Sequence, residues 1–108
     1  EAALPHDRLA EYAHAGWLSP AEVTTLATAA GRRQAMTWAK SHGMGLLMNG
    51  YIRDATRLAF TRQRIVMGRD RIGAQQDEQQ LLTKFTASRQ ALIAATNPAA
   101  VVNPHPAG

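Results

Sequence analysis

The most regular hydrophobic pattern in this chain lies between Tyr51 and Gly68, where apolar residues alternate with arginines without interruption. The positions that recur three and four residues apart are Ala55, Leu58, Ala59, Arg62, Ile65 and Val66. This period places them on one face of an α-helix. We therefore predict a long helix from Met44 to Met67 that buries this stripe.

A second long helix is predicted from Ala74 to Thr96, ended by the following Asn97-Pro98. Its stripe has the same spacing and comprises Leu81, Leu82, Phe85, Ser88, Arg89, Leu92 and Ile93. The intervening stretch, Gly68 to Gly73, has the composition of a turn. The two long helices are therefore expected to form an antiparallel hairpin.

The strongest local signal in the N-terminal half is Ser19-Pro20-Ala21-Glu22. Serine suits the N-cap, proline the first helical position and glutamate the third, which completes a capping box. Leu18 before the cap can pack on Val23 as a hydrophobic staple. A helix is therefore predicted to begin at Pro20.

The remaining N-terminal helices are predicted from weaker patterns. Ala2 to Ala15 is expected to form a first helix, which Gly16 ends. Gly31 is either tolerated inside the second helix or breaks it, before a third helical piece from Arg32 to Ser41. Gly43 ends or kinks that piece.

These elements predict an all-α fold, a small helical bundle of four to five helices with a long antiparallel helical hairpin. Residues 1–97 are expected to form the helical domain, and residues 98–108 a disordered tail that contains proline. Trp17 and Trp38 are interpreted as core or hinge anchors. The four methionines are interpreted as core filler, with an adaptable apolar groove as the alternative.

Composition narrows the class of protein further. The chain has 108 residues and a net charge of +4, with a pI near 10.4 and no cysteine. The missing cysteines exclude disulfides and thiolate metal sites. No apolar run approaches the roughly 20 residues of a transmembrane helix. Because the sequence begins at Glu1, we expect it to be a piece of a longer protein.

The arginines are the candidate binding residues. Arg53, Arg57 and Arg64 are spaced to share a helix face, and the others nearby in sequence are Arg62, Arg69 and Arg71. Three interpretations are open: a solvated face, a ridge that faces anionic lipid headgroups, or a nucleic-acid contact. Few aromatic residues interleave with the arginines, which disfavours nucleic acid.

No catalytic, cofactor-binding or metal-binding residue is assigned from the sequence. The histidines do not form a set of three convergent ligands, which metal sites need. Ser19 is explained as a helix cap, and the carboxylates are scattered. Asp54 is expected to form an ordinary ion pair with Arg57, three residues later on the same helix.

The segment from Asp54 to Gly68 resembles one found near the C-terminal end of actinobacterial proteins of the PrsW family. Its features are Asp54-Ala-Thr, then Leu-Ala-Phe, then a basic-polar-basic cluster. The stretches Gly16 to Val23 and Gly31 to Arg33 are similar to the linker and helix that precede this segment in the family. PrsW proteins are multi-spanning membrane proteins related to intramembrane metalloproteases.

The protease-like motifs of that family do not occur here. They are paired glutamates, Phe-x-x-x-Glu and His-x-x-x-Asp, whereas Phe60 and Phe85 are each followed four residues later by arginine. The resemblance therefore implies a non-catalytic soluble domain on the cytoplasmic face of the membrane, with a role in regulation. Its implied partners are the rest of the parent protein, a protein partner or an anionic lipid surface. A basic helical nucleic-acid-binding module is the alternative, and the oligomeric state stays open.

Overall fold

The computed structural model describes residues 6–96, and helices account for 78 of these 91 residues. The five helices are α1 (His6–His14), α2 (Pro20–Ala27), α3 (Ala29–Ser41), α4 (Gly45–Val66) and α5 (Arg71–Thr96). No strand occurs in this part of the chain. The predicted all-α helical bundle is therefore confirmed. The first four residues of the predicted first helix and the predicted tail lie outside the described residues.

Helices α4 and α5 form the most extensive interface and run antiparallel. Arg64 near the end of α4 contacts Asp77 near the start of α5, while Asp54 accepts a hydrogen bond from Ser88 further along. The turn between the helices is shorter than predicted. Helix α5 begins at Arg71, so Gly73 belongs to the helix and not to the turn.

The core is built where α1 and α2 pack against the hairpin. Phe85 is its largest fully buried side chain, and its ring stacks on Tyr51 with 5.4 Å between centroids. The predicted α4 stripe is buried at Ala55, Leu58, Ala59 and Ile65. Val66 was wrongly assigned to this buried face, since it is the last residue of α4 and is exposed.

The capping box of α2 is present as predicted. Ser19 Oγ accepts from the Glu22 amide at 3.1 Å, and a Glu22 carboxylate oxygen accepts from the Ser19 amide at 2.8 Å. Leu18 and Val23 are both buried, as a hydrophobic staple requires. Gly16, with φ +91°, ends the first helix in the left-handed region that suits glycine.

The break between α2 and α3 occurs at Thr28, not at Gly31. Thr28 Oγ1 accepts from the Gly31 amide at 3.0 Å and so caps α3. The guanidinium of buried Arg32 donates to the Leu26 carbonyl at 2.8 Å, which satisfies an end of α2. A Cβ at position 31 would lie 2.4 Å from the Thr25 carbonyl oxygen. Gly31 is therefore the residue that lets the two helices meet closely.

Neither tryptophan is buried in the core, but Trp17 lies between α1 and α2, where the hinge alternative of the prediction placed it. Trp17 is 44% exposed in the α1–α2 turn, where it still borders Leu9 and Leu58. Trp38 is 42% exposed, and its ring stacks on His42 with 4.4 Å between centroids. The indole of Trp38 thus contributes to the surface of α3.

Candidate functional site

One face of α4 points away from the core along its whole length. We define the outer stripe of α4 as Leu46, Asn49, Arg53, Arg57, Phe60 and Arg64. These residues are three or four positions apart, and each is exposed except half-buried Arg64. The three arginines predicted to share a helix face are therefore together on this stripe.

The arginines of the outer stripe differ in their partners. Arg53 Nε lies 3.3 Å from the Asp54 carboxylate, although the Arg53 side chain is 54% exposed. Arg64 contacts Asp70 and Asp77 at 3.4 Å each, and water reaches 41%, 71% and 53% of the three side chains. Surface pairs of this kind contribute little to stability. Arg57 makes no ion pair with any described residue.

A groove of about 380 Å³ runs between the outer stripe and α5. Arg57, Phe60 and Arg64 line its α4 wall, while Leu81, Lys84 and Asp77, the partner of Arg64, line its α5 wall. The Phe60 ring is 45% exposed there. The groove therefore combines cations on both walls with an accessible apolar surface.

Arg62 belongs to the interior and not to this surface. Its guanidinium lies 3.2 Å from Glu11 and 3.5 Å from Glu78, and the Tyr12 hydroxyl donates to Glu78 at 2.6 Å. Burial, and then the hydrogen bond to Glu78, raise the pKa of Tyr12. We call this group the Arg62 cluster; it joins α1, α4 and α5. The other predicted arginines, Arg69 and Arg71, are exposed at the α4–α5 turn.

A second interior group, the Glu22 cluster, joins α2, α4 and α5. Arg89 donates to both carboxylate oxygens of Glu22, at 2.9 and 3.1 Å, and the Tyr51 hydroxyl donates at 2.5 Å. Burial alone would raise the pKa of Glu22. The hydrogen bonds from Arg89, Tyr51 and the Ser19 amide outweigh burial and hold this pKa below its ordinary value.

The sequence did not reveal the third interior group, the Asp54 cluster. Asp54 is 1% exposed and accepts from Ser88 at 2.6 Å and from Arg53 at 3.3 Å. The expected pair with Arg57 was wrong because Asp54 turns toward α5 while Arg57 faces solvent. Ser88 was a signal for this cluster, since a polar residue interrupts the predicted buried stripe of α5.

The charges of the described residues separate into two classes. Every aspartate and glutamate from Glu11 to Glu78 lies within 3.5 Å of an arginine. The cations that make no ion pair within the described residues are Lys40, Arg57, Arg69, Arg71 and Lys84. Within the described residues, the cations without an ion pair thus all lie at the surface.

The possible metal ligands of the described range are histidine, aspartate and glutamate side chains on several helices. Within residues 6–96, no three His, Cys, Asp or Glu side chains converge as a metal site would require. Buried polar side-chain atoms in the same range all have hydrogen-bond partners. The interior polar groups therefore hold the helices together, and the candidate site is the basic surface beside the outer stripe.

None of the helices in the described range has the length and apolar character needed to cross a membrane. Comparison of the chain with protein-family models, curated proteins and solved structures finds no match.

Proposed function

We propose that this chain is a non-catalytic helical domain of a PrsW-like membrane protein and that it binds an anionic surface through the outer stripe of α4 and the adjoining groove. The observation that carries the proposal is the separation of charges. Every carboxylate from Glu11 to Glu78 is paired with arginine, including Asp77 in the groove, whereas Arg57 and Lys84 line the groove and make no ion pair with a described residue.

An anionic membrane surface suits this arrangement better than nucleic acid does. The outer stripe has exposed apolar side chains at Leu46 and Phe60, on either side of Arg53 and Arg57. A helix lying on a bilayer buries apolar groups among lipid headgroups while its cations contact phosphates. Each cation near an anionic leaflet contributes about 1 kcal/mol.

The proposed location at a membrane is based on the segment from Asp54 to Gly68, which resembles the PrsW segment. In a protein of that kind, the domain would lie at the cytoplasmic face, where anionic lipids are concentrated. Binding to that leaflet would fix the position of the domain relative to the membrane-spanning part. Such positioning is a route to regulation of the parent protein or to binding of a protein partner.

The test is the partitioning of the whole chain onto vesicles of phosphatidylcholine with and without phosphatidylglycerol. We expect binding that requires phosphatidylglycerol and weakens with salt. The double variant Arg57→Gln/Lys84→Gln should bind about 30-fold more weakly, because it lacks two cations worth about 1 kcal/mol each. The control variant Gln79→Glu/Gln90→Glu lowers the net charge equally at exposed positions outside the groove.

The outcomes separate the alternatives. An equal loss in the control variant would mean that net charge alone, and not this surface, drives binding. If the wild-type chain does not bind vesicles but shifts duplex DNA in a gel with a steep salt dependence, nucleic-acid binding would replace membrane binding as the proposed function. Reproducible metal-dependent peptide cleavage by the pure chain would contradict the non-catalytic assignment.

A further inference from the structure

The connection between α3 and α4 places apolar side chains on the surface at one end of the bundle. Leu46 is 90% exposed, Trp38 is 42% exposed and Leu47 is 36% exposed. We call these residues, with the intervening Lys40 and the turn at residues 42–44, the α3–α4 corner. Lys40, Leu46 and Leu47 line a depression between α3 and α4 together with Met36 and Met44, and Trp38 lies outside this depression.

Backbone hydrogen bonds define the conformation of the turn at the corner, and this conformation places the side chains at the surface. The Met44 amide donates to the Ala39 carbonyl at 2.7 Å, and the His42 amide donates to the same oxygen at 3.1 Å. Gly43 has φ +73°, which turns the chain sharply between the helices. His42 stacks on Trp38 and holds the indole at the surface.

The charges around the corner are of one sign. No aspartate or glutamate occurs in the sequence between Glu22 and Asp54, whereas this stretch contains the exposed cations Arg33, Lys40 and Arg53. Lys40 is exposed and makes no ion pair with a described residue. An apolar tip bordered by cations and free of carboxylates is complementary to an anionic bilayer, with its apolar interior below negative headgroups.

The corner is continuous with the basic surface described above. Leu46 is both the tip of the corner and the first residue of the outer stripe, and Asn49 of the same stripe lines the depression beside it. The side chains of tryptophan and lysine suit the headgroup region because each combines an apolar body with a polar end. Leucine suits the acyl-chain boundary beneath it.

We infer that the α3–α4 corner is the point at which this domain inserts into an anionic phospholipid bilayer. Leu46 and Leu47 enter the acyl-chain boundary, the Trp38 indole lies at headgroup level and Lys40 contacts lipid phosphate. This inference rests on the proposed function, since the cations of the outer stripe bring the corner to the membrane.

Insertion is tested first with tryptophan fluorescence of the whole chain on phosphatidylglycerol vesicles that contain brominated lipid. The variant Trp17→Phe leaves Trp38 as the reporter, and Trp38→Phe leaves Trp17 in the α1–α2 turn. We expect a blue shift and quenching by bromine for Trp38 and neither for Trp17. Unchanged Trp38 emission from protein that cosediments with the vesicles would overturn the inference while leaving the proposed function in place.

A second experiment compares two pairs of exposed apolar residues on the same vesicles. Leu46→Ser/Leu47→Ser removes the corner, whereas Val66→Ser/Ile72→Ser removes apolar side chains that are 53% and 75% exposed at the other end of α4. That end lies about 30 Å away along the helix. We expect the corner variant to partition at least about tenfold more weakly, because a leucine loses its burial in lipid, and the control to change little.

The single variant Leu46→Ser tests whether the double variant loses binding only because it is less stable. A side chain that is 90% exposed contributes little to the core, so this variant should fold like the wild type. It should weaken partitioning in the same direction. Equal partitioning of corner and control variants would overturn the inference. Failure of the wild-type chain to bind any anionic vesicle would remove the proposed function with it. Capture of polyglutamate through the corner without vesicle binding would assign the surface to an acidic protein partner instead.

Discussion

Three ionic clusters lie inside the helical bundle, whereas the α3–α4 corner exposes leucine and tryptophan to solvent. In the interior, the carboxylates of Glu22, Asp54 and Glu78 are each held by an arginine and a hydroxyl group. At the corner, apolar side chains stand beside Lys40, and the sequence around them has no carboxylate.

The difference shows that hydrogen-bond and ion-pair partners, as well as hydropathy, determine which side chains are buried in this molecule. A buried charge is tolerated only where its hydrogen bonds replace those lost to water. The interior clusters meet this condition and join α1, α2 and α5 to α4. At the corner, no described residue covers the apolar side chains of Leu46 and Leu47 completely. Their exposed surface is therefore available to a ligand.

The largest expected contrast is between a core side chain and a corner side chain. Phe85→Ala should lower the free energy of unfolding by about 3–5 kcal/mol because it leaves a cavity beside Tyr51. Leu46→Ala should change it by less than about 0.5 kcal/mol because the side chain is already hydrated. Urea denaturation followed by circular dichroism measures both values. Comparable losses would mean that the corner is part of the packed structure.

If Phe85→Ala does not fold, Phe85→Leu provides the same comparison with most of the volume retained. We expect this variant to cost less than about 1.5 kcal/mol. A loss below that of Leu46→Ala would contradict the assignment of Phe85 to the core.

Glu22→Gln sharpens the comparison by removing the charge from one interior cluster. At neutral pH we expect a loss of about 1–3 kcal/mol, since Arg89 and Tyr51 lose a charged acceptor. The pKa of Glu22 is lower in the folded chain than in the unfolded chain. Its charge therefore stabilises the fold above the unfolded value of about 4.3, and that stability is lost as the pH falls through the folded value.

Urea titrations of the wild type and Glu22→Gln between about pH 7 and pH 3 check this sign. The gap between the two unfolding free energies should be constant near neutrality and should narrow toward acid pH. A gap that stays constant down to about pH 3 would show that the charge of Glu22 does not stabilise the fold.

The smallest expected effect compares two glycines in the first turns of α3 and α4, Gly31 and Gly45. Alanine favours a helix over glycine by about 1 kcal/mol. At Gly31, however, the new Cβ would meet the Thr25 carbonyl oxygen, and we expect a net loss of about 1–2 kcal/mol. At Gly45 the nearest atom is Cγ of the flexible Lys40 side chain, 3.4 Å away. Gly45→Ala should therefore be neutral or slightly stabilising, as thermal denaturation would show.

The long helices were predictable because their signal is local. Apolar spacing identified the buried face of α4 from Ala55 to Ile65, and cap chemistry identified the start of α2 at Pro20. The boundaries that failed depend on neighbours. The break at Thr28 needs the threonine cap and the buried Arg32, and the early start of α5 at Arg71 follows from the shorter turn.

The candidate site was predictable only along one helix. Spacing placed Arg53, Arg57 and Arg64 on a common face, and it placed Arg62 on the apolar stripe, where the structure buries it in part. Lys84 was missed because it belongs to α5, and its position opposite Arg57 depends on the register between the two helices. The exposure of Trp38 was missed because its spacing suits a buried face equally well.

The sequence by itself determined that the chain is helical, where α2 begins and which face of each long helix turns inward, because these properties depend on residues within a few positions of one another. Only the tertiary structure decided which charges cancel. The contacts of Arg62 with Glu78, of Arg89 with Glu22 and of Ser88 with Asp54 join residues far apart in the sequence. Those contacts pair the carboxylates with residues of the bundle, so the cations at the surface stay available to a binding partner. No local sequence pattern could have specified this distribution of charge.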